Sequence, residues 1–242
     1  MLSLLENISI HSRNIAVLLD PDKIELHLLP EQLKRIESAG VDFLFVGGSL
    51  VDGITFNEVV TEIKKHSSLP VVIFPGSSFQ ISESADAILF LSLISGRNPE
   101  YLIGQQVIAA PYIKRLGLPS IATGYILVDC GSETTASYIS NTKPIPYNKP
   151  QIAAATALAG EMLGHDIMYL DGGSGAKMPI SGAIISQVKS TIDIPLIVGG
   201  GIRTKEAIVS AFSSGANVVV IGTAIEESEG FLNEIASIKH SV

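Results

Sequence analysis

The stretch Tyr169-Leu170-Asp171-Gly172-Gly173-Ser174-Gly175 (YLDGGSG) turns an apolar run into glycine, and two later stretches do the same: Ile197 to Gly201 (IVGGG) and Val218 to Thr223 (VVVIGT). In that order and at that spacing they read as successive strand ends on the rim of a parallel βα barrel. One Gly-Gly-Gly is no more than a tight turn between strand and helix. Three such ends in a row read as a phosphate grip. A phosphate offers acceptor oxygens and no donors, so bare backbone N–H groups surround it only where no side chain intervenes. A helix N-terminus behind the glycines adds partial positive charge aimed at the anion. Thr223 has two uses in this reading: its hydroxyl faces the phosphate, or it caps the last helix in a Thr223-x-x-Glu226 capping box.

Working outward, 242 residues with no break in composition are the size of one barrel, so one domain over residues 1–242 is expected. An apolar content of 46% fits many fully buried strands. The net charge of −8 argues against a nucleic-acid surface, and its long-range field repels an anionic substrate, so local groups must hold any anion. Cys130 is the only cysteine, which excludes a disulfide framework and a zinc ligand set and fits a reducing cytoplasm. It reads as a small buried hydrophobe. The N-terminus lacks the pattern of a signal peptide. No apolar stretch is long enough to cross a bilayer, which leaves peripheral lipid contact at most.

Short β-rich apolar runs alternate with helical patterns, the sign of parallel βα units. Strands are expected at Ile15 to Leu19, Phe43 to Val46, Val71 to Phe74, Ala87 to Leu91, Ile121 to Val128, Ile167 to Leu170, Leu196 to Val198 and Val218 to Ile221. The fold class is therefore α/β, a (β/α)8 TIM barrel. Pro30-Glu31 suits a first helical turn and Gly40 the position just past its end. Thr55-x-x-Glu58 reads as a capping box opening the next helix, and Asn98-Pro99-Glu100 starts another. The third unit is irregular. After Pro75-Gly76 only about ten Ser-rich residues precede the next strand, too few for a full helix. A short or missing third helix is expected, leaving one flank open. Residues 131 to 150 form the longest irregular stretch.

If late strands hold a phosphate, chemistry belongs across the mouth at the early strand ends. Strand one ends in Asp20-Pro21-Asp22-Lys23 and strand two in Gly47-Gly48-Ser49. A carboxylate facing a small hydroxyl beside Gly-Gly suits a hard cation such as Mg2+, which takes one or two protein oxygens and fills its shell with phosphate oxygens and water. The plain alternative makes Asp20 a turn cap and Ser49 a loop residue. Asp171 could accept a proton from a substrate hydroxyl or hold that hydroxyl. Asp129, at the end of strand five, is a second carboxylate expected at the mouth. Asp20 with Asp129 would suit sugar-phosphate isomerisation, and a phosphate-binding barrel without catalysis is a third reading. The five histidines, at positions 11, 27, 66, 165 and 240, fall at helices, loops or termini, and no HExxH or Walker A motif is present.

Seven motifs, LLDPDK (18–23), FVGGS (45–49), GYILVD (124–129), KPIPYNKP (143–150), YLDGGSGA (169–176), VGGGIRT (198–204) and VVVIGT (218–223), resemble geranylgeranylglyceryl phosphate synthases over nearly the whole chain. The match is closest to the archaeal and Bacteroidetes type branch, and PIPYNKP is its most specific element. The resemblance implies a barrel with one irregular helix and a homo-oligomeric assembly. It also implies Mg2+-dependent transfer of a geranylgeranyl group from its diphosphate to the 3-hydroxyl of sn-glycerol 1-phosphate. It assigns Asp20 and Ser49 to the metal. To the glycerol phosphate it assigns Tyr169, Leu170, Asp171, Gly172, Gly173, Ser174, Gly175, Gly200, Gly201, Gly222 and Thr223. The family usually has Glu where this chain has Asp171, which retracts the carboxylate by one methylene. A prenyl tail needs an apolar groove. Tyr101, Leu102, Ile103, Gly104, Val107 and Ile108, on the long helix beside the open flank, are the candidates, against ordinary core or a subunit interface.

Overall fold

A computed structural model describes residues 8, 13–48, 51–227 and 230–239. Parallel strands β1 (Asn14–Leu19), β2 (Phe43–Val46), β3 (Val71–Ile73), β4 (Ala87–Leu93), β5 (Ser120–Leu127), β6 (Ile167–Asp171), β7 (Leu196–Gly199) and β8 (Val218–Ile221) close into a barrel in sequence order, β8 pairing back to β1. Each expected strand is present within two residues at either end. The strands are almost continuously apolar because both faces are covered. Alternate residues part company accordingly. Ile167 and Tyr169 point into the barrel with Phe45, Leu89, Tyr125 and Val220, whereas Met168 and Leu170 point outward under the helices with Ile184 and Val198.

The helices are α1 (Leu29–Ser38), α2 (Gly53–His66), α3 (Gln105–Leu116), α4 (Thr135–Ser140), α5 (Pro150–Met162), α6 (Gly182–Lys189), α7 (Lys205–Ser213), α8 (Thr223–Glu227) and α9 (Phe231–Lys239). Gly40 follows α1 at φ 77°, as its position predicts. The cap of α2 is not Thr55. It is Asp52, whose Oδ1 accepts from Ile54 N at 2.9 Å and Thr55 N at 3.0 Å, so the helix starts one turn earlier than its capping-box pattern suggests. Asn98 does open its helix, accepting from Glu100 N at 3.1 Å through Oδ1. The first turn, Glu100–Gly104, is a π turn in which Gln105 N reaches back to Glu100 O. The stretch 131–150 is less irregular than expected: α4 sits inside it, opened by a reciprocal Thr134–Ser137 capping box.

The third βα unit carries no helix between Ile73 and Ala87. The barrel is also thinnest there. β3 and β4 pair only at Val72 with Ala87 and Ile73 with Ile88, whereas β4 and β5 run together from Ile88 with Ser120 to Leu93 with Tyr125. Missing helix and short seam coincide, and the flank opens at that point. No helix among the described residues is long and apolar enough to cross a membrane.

Candidate active site

One cavity of about 500 Å³ occupies the carboxyl-end mouth of the barrel and extends through the open flank. Its late wall is the glycine rim. Gly173, Ser174, Gly175, Gly200, Gly201, Gly222 and Thr223 all line it, with Tyr169 and Asp171 beneath. Gly200 and Gly201 adopt φ of 84° and 69°, in the left-handed region. A Cβ on Gly200 would lie 2.7 Å from Gly172 N, and one on Gly201 would lie 2.3 Å from Met178 O. Glycine is therefore required twice over, by backbone conformation and by close approach. Two residues expected at the rim do not reach the cavity. Leu170 is fully buried and points outward under the helices, because it sits one residue out of phase with Tyr169 and Asp171. Gly172 is packed against Cys130, whose Sγ a Cβ there would meet at 3.0 Å, and its N–H is already spent on Gly199 O at 3.0 Å. Thr223 lines the mouth as the first residue of α8 rather than preceding it, and the side chain of its expected capping partner Glu226 lies outside the described residues.

Asp171 ends β6 with its side chain inward and is 6% exposed. Tyr125 donates its hydroxyl to Oδ2 at 2.6 Å, and Gly173 N donates to Oδ1 at 2.7 Å. Burial raises the pKa of this carboxyl above its ordinary value, and the two hydrogen bonds only partly oppose that shift. Each oxygen keeps acceptor capacity. The result is a carboxylate of enhanced basicity, fixed in orientation, at the foot of the glycine rim. Phe74, Tyr125 and Tyr169 pack around it, Phe74 stacked on Tyr169 at 5.0 Å between centroids and Tyr125 edge-on to both. Burial and the Asp171 charge push both tyrosine hydroxyls up, so Tyr125 remains a donor.

Sequence reasoning missed Arg203. It lines the cavity and ties down the glycine loop by donating to Ala176 O at 2.7 Å. The signal was its place in VGGGIRT, two residues after the last of three glycines. Tyr147, in the PIPYNKP stretch, also braces this side through a hydroxyl bond to Pro179 O at 3.1 Å. Ile145 in the same stretch bridges to Val128.

Across the mouth, Asp20 lines the cavity and also caps a short turn, Oδ1 accepting from Asp22 N at 3.3 Å. Capping a turn and facing the mouth are thus compatible. Lys23 Nζ lies 3.8 Å from Oδ2. Gly47 and Gly48 complete this wall, and a Cβ on Gly48 would lie 2.6 Å from Asp20 Oδ1, so the bare glycine makes room for the carboxylate. Ser49 lies outside the described residues. Asp129 does not line the cavity: it is exposed just past the carboxyl end of β5, and its Oδ1 accepts from Gly131 N at 3.1 Å. The chain turns there because Asp129 pairs through its N–H with Ile145 O. Among the described residues, no three His, Cys, Asp or Glu side chains cluster to hold a metal.

The apolar arm of the cavity runs between β4 and α3, past Leu89, Leu91, Ala109 and Ile113. Of the expected groove residues, Tyr101 lines it. Leu102, Ile103, Gly104, Val107 and Ile108 do not, and Ile103, Val107 and Ile108 are about as exposed as surface residues, at 59%, 64% and 60%. The inward face is Gln105, Gln106, Ala109 and Ile113. The π turn explains the displacement: its extra residue rotates α3 relative to the 3.6-residue period extrapolated from Tyr101. Gln106, 8% exposed, donates through Nε2 to Leu91 O and Tyr101 O, which holds the turn on the barrel, and its Oε1 has no partner among the described residues.

The PcrB family model matches residues 8–241. A geranylgeranylglyceryl phosphate synthase of Spirosoma linguale is 51% identical over 92% of this chain and 90% of its own. One from Thermococcus kodakarensis is 46% identical over 88% and 84%. The crystal structure of the (S)-3-O-geranylgeranylglyceryl phosphate synthase from Thermoplasma acidophilum, in complex with substrate sn-glycerol-1-phosphate, superposes with a TM-score of 0.91. It is 34% identical and the match spans 99% of this chain and 96% of that one. With its closed barrel, glycine rim and open third unit, this chain belongs to the PcrB family and groups there with the geranylgeranylglyceryl phosphate synthases.

Proposed function

We propose that this chain is a prenyltransferase that joins the 3-hydroxyl of sn-glycerol 1-phosphate to C1 of geranylgeranyl diphosphate, releasing diphosphate. One observation carries the reading: the cavity joins a backbone-amide rim, a buried carboxylate and an apolar arm in one continuous space. The rim suits a small phosphate, the arm suits a hydrocarbon chain, and the carboxylate sits where their reacting ends would meet.

Gly173 to Gly175, Gly200, Gly201, Gly222 and Thr223 hold the glycerol phosphate, with α8 behind them. Its hydroxyl is directed at Asp171, which takes the proton as the C–O bond forms. Tyr125 and Gly173 keep that carboxylate from turning away, so much of the rate comes from positioning. Carbocation character develops at the allylic carbon as diphosphate departs, and the aromatic residues Phe74 and Tyr125 line the space where it would lie. The arm between β4 and α3 keeps water from competing for that carbon.

Asp20 and Ser49 are the residues that would hold Mg2+. The donor set fits a hard cation, because the Asp20 carboxylate is partly exposed and lines the cavity, and Mg2+ takes one or two such protein oxygens while phosphate oxygens and water fill the rest of its shell. When bound, the ion would neutralise the diphosphate and make it a better leaving group.

The isomerase reading loses its support with Asp129 outside the cavity. Incubation with radiolabelled sn-glycerol 1-phosphate, magnesium and a ladder of prenyl diphosphates, followed by butanol extraction, tests the proposal. Label is expected in the organic phase, lost with EDTA, and absent with the 3-phosphate enantiomer. Binding of glycerol phosphate without transfer from any donor would favour a non-catalytic phosphate-binding barrel instead.

A further inference from the structure

We propose that Gln80 is a positioning residue for the donor's diphosphate, acting by fixing the shape of the mouth on the Asp20 side; this rests on the placement of that diphosphate given above. The segment after β3 forms no helix, so its backbone groups must find partners elsewhere. Gln80 is fully buried and uses both ends of its amide: Nε2 donates to Gly48 O at 2.6 Å, and Oε1 accepts from Gly76 N at 2.9 Å. Gly48 is the residue whose bareness makes room for the Asp20 carboxylate. Gly76, with Ser77 and Ser78, lines the cavity beside it. One side chain thus sets the distance between the Asp20–Gly48 edge and the Gly76–Ser78 edge. Burying an amide costs more than burying a hydrocarbon of the same size, and here that cost is offset by two bonds that join two loops of one wall. Neither bond reaches the glycine rim, so disturbing Gln80 should damage one half of the site and spare the other.

Calorimetric titration of the whole chain with inorganic diphosphate plus Mg2+, and separately with sn-glycerol 1-phosphate, tests this without turnover. Gln80→Glu keeps the shape and the acceptor for Gly76 N but places a carboxylate oxygen against Gly48 O; Gln80→Leu removes both bonds. Both should weaken Mg2+-diphosphate binding about tenfold or more, with glycerol phosphate affinity within about twofold of wild type. Ser82→Ala is the control: Ser82 is buried in the same segment but bonds Asn57 at 2.7 Å away from the mouth, so its loss should lower thermal stability and leave both affinities alone. On the wild type, hydrogen exchange over residues 74–80 should slow with Mg2+-diphosphate and not with glycerol phosphate. Unchanged diphosphate binding in both Gln80 variants, parallel loss of both ligands, an equal loss in Ser82→Ala, or no exchange response would overturn the proposal. A wild type that transfers prenyl groups while its Gln80 variants bind diphosphate normally overturns this inference alone. A wild type that binds neither ligand overturns the transferase reading with it.

Discussion

The two halves of the mouth are built from different materials. The late half, from β6 to β8, is made of backbone: bare glycines at strand ends with one buried carboxylate below them. The early half, from β1 to β4, is made of side chains, with Asp20 against Gly48, the Gln80 amide bracing the stretch where a helix is missing, and an apolar arm under α3. At Gly173, Gly200 and Gly201 the late half tolerates almost no substitution, because conformation and clearance are both at their limits. A side-chain site can be reshaped one residue at a time. Early-half changes should therefore shift which donor is used, and late-half changes should abolish acceptor binding or chemistry.

The largest effect is expected at Asp171. Asp171→Asn keeps the shape and removes the proton acceptor, so turnover should fall about 100-fold or more. Its glycerol phosphate affinity should change far less. Single-turnover rates beside equilibrium binding separate the two, and near-normal turnover would remove Asp171 from the chemistry.

Next comes the rim. Gly200→Ala forces a Cβ to 2.7 Å from Gly172 N at a φ of 84°, which should weaken glycerol phosphate binding at least about tenfold with little change in donor affinity. Titration with each ligand checks that asymmetry.

In the early half, Ala109→Phe should fill the apolar arm and move the donor optimum toward shorter chains, with a several-fold loss on the longest. Ile103→Ser, on the exposed face of the same segment, should leave the donor profile unchanged. A shift in the second variant would put the prenyl chain on the outer face, as the sequence suggests.

The smallest effect is on stability. Burial holds the Asp171 carboxyl above its ordinary pKa, so folding favours its protonated form. That contribution is fully present below the unfolded carboxyl's pKa and is lost as pH rises through the raised folded value. Asp171→Asn never carries the buried charge. Its melting temperature should exceed the wild type's by a few degrees near about pH 8, and the gap should close toward about pH 4. A gap that widens on acidification would contradict the assignment.

What was legible in the sequence follows the same division. The strands stand out because barrel strands are apolar on both faces, and the rim because a run of bare glycines at a strand end serves few purposes besides a close approach. The missing third helix showed as a shortage of residues after Pro75-Gly76. Side-chain direction was harder to read. Leu170 and Gly172 lie inside the rim motif and do not line the cavity, since alternation along β6 and the turn after it decide which neighbours look inward. Asp129 reads as a mouth carboxylate because the apolar run of β5 extends one residue past the strand itself. The groove face of α3 was misjudged because a π turn leaves no mark in the apolar pattern, and because two of its inward residues are glutamines. Short α4 was hidden by its polar composition, although Thr134 three residues before Ser137 was available as a start signal.

A crystal structure with sn-glycerol 1-phosphate, magnesium and an unreactive prenyl diphosphate analogue bound together tests the division of the mouth most directly. The acceptor's phosphate is expected on the amides at Gly173 to Gly175, Gly200, Gly201 and Gly222, its free hydroxyl at Asp171, and the ion with the diphosphate at Asp20. An acceptor phosphate seated beside Asp20, or a prenyl chain lying outside the β4–α3 arm, would contradict that division.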